Sequence, residues 1–217
     1  MTAVTSMTLS EQLRSGSAAE HRRAESSSFM AALAEGRVNA AGYAAYLGRL
    51  LPVYLQLEEV GAQLNTDERV RQLFDVALLR SSAIADDLHH WGGVAIDSPA
   101  VRAYAERIHQ TLADPVCYLA HHYTRYLGDL SGGQVIGRVL ERVFQLSDGQ
   151  GTAFYRFPQI EKVKPYKDGY RSRLDALALT EDEQARAVDE VRVAFALNQG
   201  LFDELTAELP TYLTHTA

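Results

Sequence analysis

"HHYTRYLGDLSGGQVIGRVL", residues 121–140, is a helix by its pattern and not by its composition. Tyr126, Leu127, Leu130, Val135, Ile136, Val139 and Leu140 recur at helical spacing, yet Gly128, Gly132, Gly133 and Gly137 interrupt the same run. Each glycine costs a helix interior roughly 1 kcal/mol against alanine, so four give up roughly 4 kcal/mol, a large part of a typical domain's net stability. Gly128 and Gly132 are four apart and share a face. Bare backbone there admits something pressed against it, either a neighbouring helix or a flat ligand. Asp129, in an otherwise apolar stretch, suggests a polar pocket, because a buried carboxylate is costly without partners. Arg125 lies one turn before Asp129; it either holds that carboxylate or forms an ordinary i,i+4 pair.

Outward from this stretch the chain keeps the same helical period, and no period-2 strand pattern appears. Thr8 and Glu11 form a capping box that opens a helix over about 8–24. Further helices are expected over about 28–35, 40–64, 67–91, 98–112, 115–146, 158–177 and 181–208, with a loop at 146–157. Pro52 should kink or break the helix over 40–64. Ser98-Pro99 and the Thr180/Glu183 capping box are start signals. Val188, Val191, Phe195, Phe202 and Leu205 form one stripe on the last helix, and Asn198 interrupts it. The fold class is all-α. The 217 residues make one domain, with residues 1–7 and 210–217 expected to fray.

Composition excludes several classes. A net charge of -7 argues against a nucleic-acid partner. The single cysteine, Cys117, builds neither an internal disulfide nor a thiolate metal site, which fits a reducing, cytoplasmic setting. The first residues lack a signal-peptide pattern. No run reaches the roughly 18 apolar residues of a span, so no membrane anchor is expected.

Two other constellations carry chemistry. In "RSGSAAEHRRAE", residues 14–25, His21 and Glu25 share a helix face, so Glu25 can hold one imidazole nitrogen and leave the other for a metal. A lone surface or core histidine is the plainer alternative. Arg14 lies two turns before His21. In "EKVKPYKDGYRSR", residues 161–173, Lys167 and Arg171 are i,i+4 and either clamp carboxylates or phosphates or form a solvated face.

Taken together, these residues resemble the heme oxygenase family. "HHYTRYLGDLSGGQVI" is similar to that family's signature almost throughout, and "AAEHRRAESSSFM", "VYLQLEEV", "LSDGQGTAFYRF", "KPYKDGYRSRL" and "AFALNQGLFDEL" extend the resemblance along most of the chain. The resemblance implies heme held between a proximal and a distal helix, as substrate and as its own cofactor. His21 then matches the axial iron ligand and Glu25 the residue that orients it. Gly128 and Gly132 match the distal glycines, whose backbone lies over the heme face. Asp129 matches the acid that delivers protons through water. Tyr54, Arg125 and Asn198 match its partners. Arg14, Tyr123, Lys167 and Arg171 match the residues holding the propionates, and Phe195 is counted among the heme contacts. The family often has a second basic residue one turn before the proximal histidine; Ala18 stands there in this chain, so one propionate contact is expected to be missing.

The implied reaction uses O2 and external electrons to give biliverdin, with the α isomer favoured, carbon monoxide and ferrous iron. No GxGxxG fingerprint is present, so no bound flavin or NAD(P)H is expected. Electrons then come from a ferredoxin or a flavoprotein reductase, docked near Lys162, Lys164 and Arg173. A heme-binding or heme-transfer protein without turnover is the alternative; it would not need Asp129 or the paired glycines. A helical di-iron carboxylate protein would need two Glu-x-x-His motifs, and only Glu106–His109 fits.

Overall fold

The structure is a computed structural model that describes residues 7–147 and 149–214. Among them the chain is helical with no strand: α1 Leu9–Gly16, α2 Ala18–Glu25, α3 Ser28–Ala34, α4 Ala40–Leu64, α5 Glu68–Arg71, α6 Ser81–His90, α7 Pro99–Gln110, α8 Pro115–Gly128, α9 Gln134–Val143, α10 Val163–Asp175, α11 Glu181–Ala207 and α12 Leu209–Tyr212. Both capping boxes form as their spacing requires. α4 and α11 are the long members. α11 packs on α8, α2, α7, α1 and α3, and α4 packs on α7 and α6. The core runs along α4 through Leu47, Leu50, Val53, Leu57 and Val60, all fully buried.

Several expected boundaries shift. The single helix over 8–24 is two helices, broken at Ser17. Ser17 is buried, and its hydroxyl donates back to the Leu13 carbonyl at 2.7 Å. Arg192 of α11 donates to the Gly16 carbonyl at 2.8 Å, so a distant helix caps the end of α1. The segment 67–91 is α5, a 3-10 turn at Val76–Leu78 and α6. α10 begins at Val163, later than expected. Residues 210–214 do not behave as a frayed end: α12 covers Leu209–Tyr212, and Leu213 bridges to Val38. Residues 1–6 and 215–217, also expected to fray, lie outside the described residues.

Pro52 neither ends nor interrupts α4. A proline removes the N–H that would bond the carbonyl four residues back, here that of Gly48. The Gly48 carbonyl instead accepts the N–H of Ile96 at 2.9 Å. Gly48 permits this approach, because an added Cβ would stand 2.5 Å from the Val94 carbonyl oxygen. The helix therefore loses one internal bond, gains one to the 92–97 loop, and carries Tyr54 into the core.

Buried polar ties fix the helices that build the site. Arg49 of α4 reaches Glu204 at 3.2 Å and Glu208 at 2.7 Å. Glu190 of α11 accepts from His121 of α8 at 2.7 Å and also pairs with Arg107 of α7. Asp175, the last residue of α10, accepts both the N–H and the hydroxyl of Ser10, at 2.7 and 3.0 Å, which locks α10 against α1.

Candidate active site

α2 and α8 both pack on α11, and a cavity of about 500 Å³ lies between them. Small-molecule sites span roughly 300–1,000 Å³. Its apolar lining comes from Met30, Tyr46, Leu127, Ile136, Phe195 and Phe202. The break at Ser17 orients α2 so that His21 and Glu25 border this cavity. His21 Nδ1 lies 3.2 Å from Glu25 Oε2, and Phe195 meets the imidazole edge-on with ring centroids 5.4 Å apart. Both side chains of the pair are more than half exposed, and Nε2 is left for a ligand. A neutral imidazole whose other nitrogen is held by a carboxylate is a competent axial metal ligand.

The opposite wall divides the four glycines into two pairs. The ladder of the expected 115–146 helix changes at Asp129–Gly133, a π turn between α8 and α9. Such turns bend a helix. A Cβ built on Gly128 or Gly132 would meet nothing within 4 Å, and both residues line the cavity. A Cβ on Gly133 would stand 3.1 Å from the ring of Tyr155, and one on Gly137 2.9 Å from its Cβ. Gly128 and Gly132 thus face the cavity, whereas Gly133 and Gly137 admit a neighbouring aromatic. Asp87 supports that neighbour: its carboxylate accepts the N–H groups of Ala153 and Phe154 at 2.8 Å each, in the 3-10 turn that presents Tyr155.

This division predicts opposite stability effects. Gly128 has helical dihedrals, φ -61 and ψ -50. Gly128→Ala therefore raises the stability of the ligand-free protein by about 0.5–1 kcal/mol. Gly137→Ala overpacks Tyr155 and lowers it by about 1–2 kcal/mol, or roughly 2–6 °C in melting temperature. Circular-dichroism melts of both variants check this; a Gly137→Ala protein as stable as the parent would refute the division.

Asp129 is buried behind Gly128, and its Oδ2 accepts the hydroxyl of Tyr54. The expected direct Arg125–Asp129 pair is loose, at 3.9 Å. Arg125 instead donates to the Tyr54 hydroxyl through Nε at 3.1 Å and NH2 at 2.9 Å, and its NH1 donates to Asn198 Oδ1 at 2.6 Å. The phenol of Tyr54 is therefore the link, accepting from the guanidinium and donating to the carboxylate. Burial pushes the Asp129 pKa up, with Arg125 and the Tyr54 hydrogen bond acting against it. The result is an acid beside the cavity that holds its proton more readily than an exposed aspartate.

Arg14, Tyr123 and Arg171 also line the cavity. Burial raises the Tyr123 pKa, and the charges of Arg171 and Arg14 oppose it. Lys167 stands outside the lining; its Nζ donates to Ser131 Oγ at 2.9 Å, and Ser131 borders the cavity. Of the other residues that the resemblance assigns to the heme site, all but Tyr54, one layer behind, line the same space. Sequence reasoning missed Tyr46, a buried cavity-lining phenol that burial pushes up to about 12. Its signal was available: it lies on α4 eight residues before Tyr54, about two turns away. Among the described residues no three His, Cys, Asp or Glu side chains gather as a di-iron centre would need, and no helix is long and apolar enough to cross a membrane.

The family model described as heme oxygenase matches residues 7–204. The heme oxygenase of Porphyra purpurea is 35% identical over 213 residues, covering 95% of this chain and 90% of that protein. Heme oxygenase 1 of Homo sapiens is 37% identical over 215 residues, 95% of this chain and 74% of that one. Among solved structures, heme oxygenase-1 of Synechocystis sp. PCC6803 in complex with heme superposes with a TM-score of 0.89 at 34% identity, covering 94% of this chain and 95% of that one.

Proposed function

The chain belongs to the heme oxygenase family, and we propose that the cavity between α2 and α8 is its heme site, with His21 as the iron ligand. The reaction is cleavage of heme to biliverdin, carbon monoxide and ferrous iron, with heme as substrate and cofactor and with O2 and external electrons as co-reactants. One observation carries the assignment of residues. An imidazole with a free nitrogen and a stretch of backbone without side chains border the same apolar cavity, with a buried acid behind that backbone.

The residues present fit the group. Bound heme supplies the iron that activates oxygen and the ring that is cut. His21, oriented by Glu25, ligates from α2. With heme bound, Gly128 and Gly132 would leave its other face open to a small diatomic, because neither puts a side chain into the cavity. Asp129, held by Tyr54, supplies protons into that space, and Arg125 and Asn198 fix the phenol and guanidinium so that the acid does not turn away. Met30, Ile136, Phe195 and Phe202 exclude bulk water. The single buried thiol, Cys117, supports a reducing, cytoplasmic setting. Titration of the full chain with hemin tests the site: a stoichiometric Soret complex is expected, lost or shifted in His21→Ala, and a wild-type chain that gives none would overturn the reading.

Regiochemistry follows from anchoring. Arg14, Tyr123 and Arg171 hold the propionates, and Lys167 joins them from α10. Such anchoring would fix which meso edge is presented to Asp129, and the α isomer of biliverdin is the product that this reading expects. Arg171→Ala is expected to turn a single isomer into a mixture, read by chromatography of the bilins; an unchanged single isomer would remove Arg171 from this role.

A ferredoxin or a flavoprotein reductase supplies the electrons. Lys162 and Lys164 are exposed, with Lys164 paired to Asp168 at 2.7 Å, and with Arg173 they give an acidic donor basic groups on and beside α10. Charge reversal at all three is expected to slow donor-driven turnover several-fold without changing turnover driven by ascorbate. Equal donor-driven rates would discard this docking site.

A further inference from the structure

We propose that Arg22 is a carboxylate-binding residue of the heme site, reaching a propionate across the space that Ala18 leaves open. This rests on the heme reading above. Four arginines line the cavity: Arg14, Arg22, Arg125 and Arg171. Arg125 is committed to Tyr54 and Asn198, and Arg171 has Asp168 at 3.4 Å. Among the described residues, neither Arg14 nor Arg22 has a carboxylate within ion-pair distance. Two unpaired guanidiniums at the wall of one cavity match a ligand with two carboxylates.

Placement on α2 supports this. Ala18 and Arg22 are i,i+4 on the same face, and both line the cavity. Side chains on a helix lean toward its N-terminus, so the long Arg22 chain runs back over the turn occupied by Ala18. Alanine at 18 leaves that path clear, where a long residue would fill it. The alternative for a cation in the last turn is to complement the helix dipole. That accounts equally for Arg22 and Arg23, but only Arg22 borders the cavity. The contact expected to be missing at position 18 is thus supplied from one turn later.

Hemin titrations of the full chain, followed at the Soret band, test the proposal against parallel titrations with heme dimethyl ester, which has the same ring without the two charges. Arg22→Ala is expected to weaken hemin binding about three- to tenfold, the range of an exposed charge-assisted hydrogen bond. Its affinity for the ester should equal that of the parent, Arg22→Lys should keep most of the hemin affinity, and Ala18→Lys added to Arg22→Ala should restore it. Melts of each ligand-free variant should coincide with the parent, because Arg22 is exposed. Unchanged hemin affinity in Arg22→Ala overturns the proposal. So does an equal loss for hemin and ester, which would indicate a disturbance of the adjacent His21. A failed rescue by Ala18→Lys overturns it as well. If the parent itself forms no complex with hemin or ester, the heme reading falls, and this falls with it.

Discussion

His21→Ala abolishes donor-driven formation of biliverdin, by at least about a hundredfold, and leaves the fold intact. The side chain sits on an exposed face of α2 and touches little besides Glu25 and Phe195. Its removal opens no core cavity, so the stability change stays within about 0.5 kcal/mol. Glu25 then faces the cavity without its imidazole. A carboxylate there is a poor substitute, because it is a harder, anionic ligand and would change the electronic push on the iron. Exogenous imidazole fits the vacated volume and should restore part of the activity in a concentration-dependent way. Absorption spectra of the hemin complex with and without imidazole, alongside bilin yield, provide the check. Full activity without imidazole would mean that the iron is held elsewhere and that the orientation of the whole site is wrong. Glu25→Gln is a milder companion: it keeps an acceptor for Nδ1–H but removes the charge, so ligation persists.

The parts of this site that were legible in the sequence are those encoded within one or two helical turns. His21 and Glu25 meet because four residues separate them, and Gly128 and Gly132 share a face for the same reason. The parts that were not legible depend on what a distant segment presents. All four glycines look alike in the sequence. Gly133 and Gly137 differ from the other pair only because Tyr155 arrives from a turn held by Asp87. Arg125 and Asp129 have the spacing of a direct pair, but Tyr54 of α4 inserts its hydroxyl between them. Pro52 reads as a breaker until Ile96 takes up the carbonyl it frees. Gly16-Ser17 is a local signal for the break between α1 and α2. What decides it is long-range: Gly16 packs so closely on Val188 that a Cβ there would stand 2.5 Å from Val188 Cγ1.

Asp129→Ala is expected to keep heme and lose the reaction. The carboxylate borders the cavity but is not among the residues assigned to the propionates, so hemin affinity should change less than about threefold. The folding cost is also bounded. Tyr54 loses the acceptor for its hydroxyl proton, yet its oxygen still accepts from Arg125 at 3.1 and 2.9 Å. One unsatisfied donor costs about 1–3 kcal/mol. The chemical loss is larger if, as proposed, the acid is the proton source for the open face. Its proton is retained to higher pH by burial. Without it, oxygen activation in the pocket is no longer steered into the ring, and bilin yield should fall at least about a hundredfold. Hydrogen peroxide added to the hemin complex should instead drive peroxidase-type oxidation of guaiacol. Asp129→Asn separates shape from acidity: it retains the volume and an acceptor for Tyr54 but has no proton to give, so it should follow alanine in yield and the parent in thermal stability. If the asparagine variant made biliverdin at the parent's rate, the carboxyl would be a structural anchor for Tyr54 and the protons would have to come by another path.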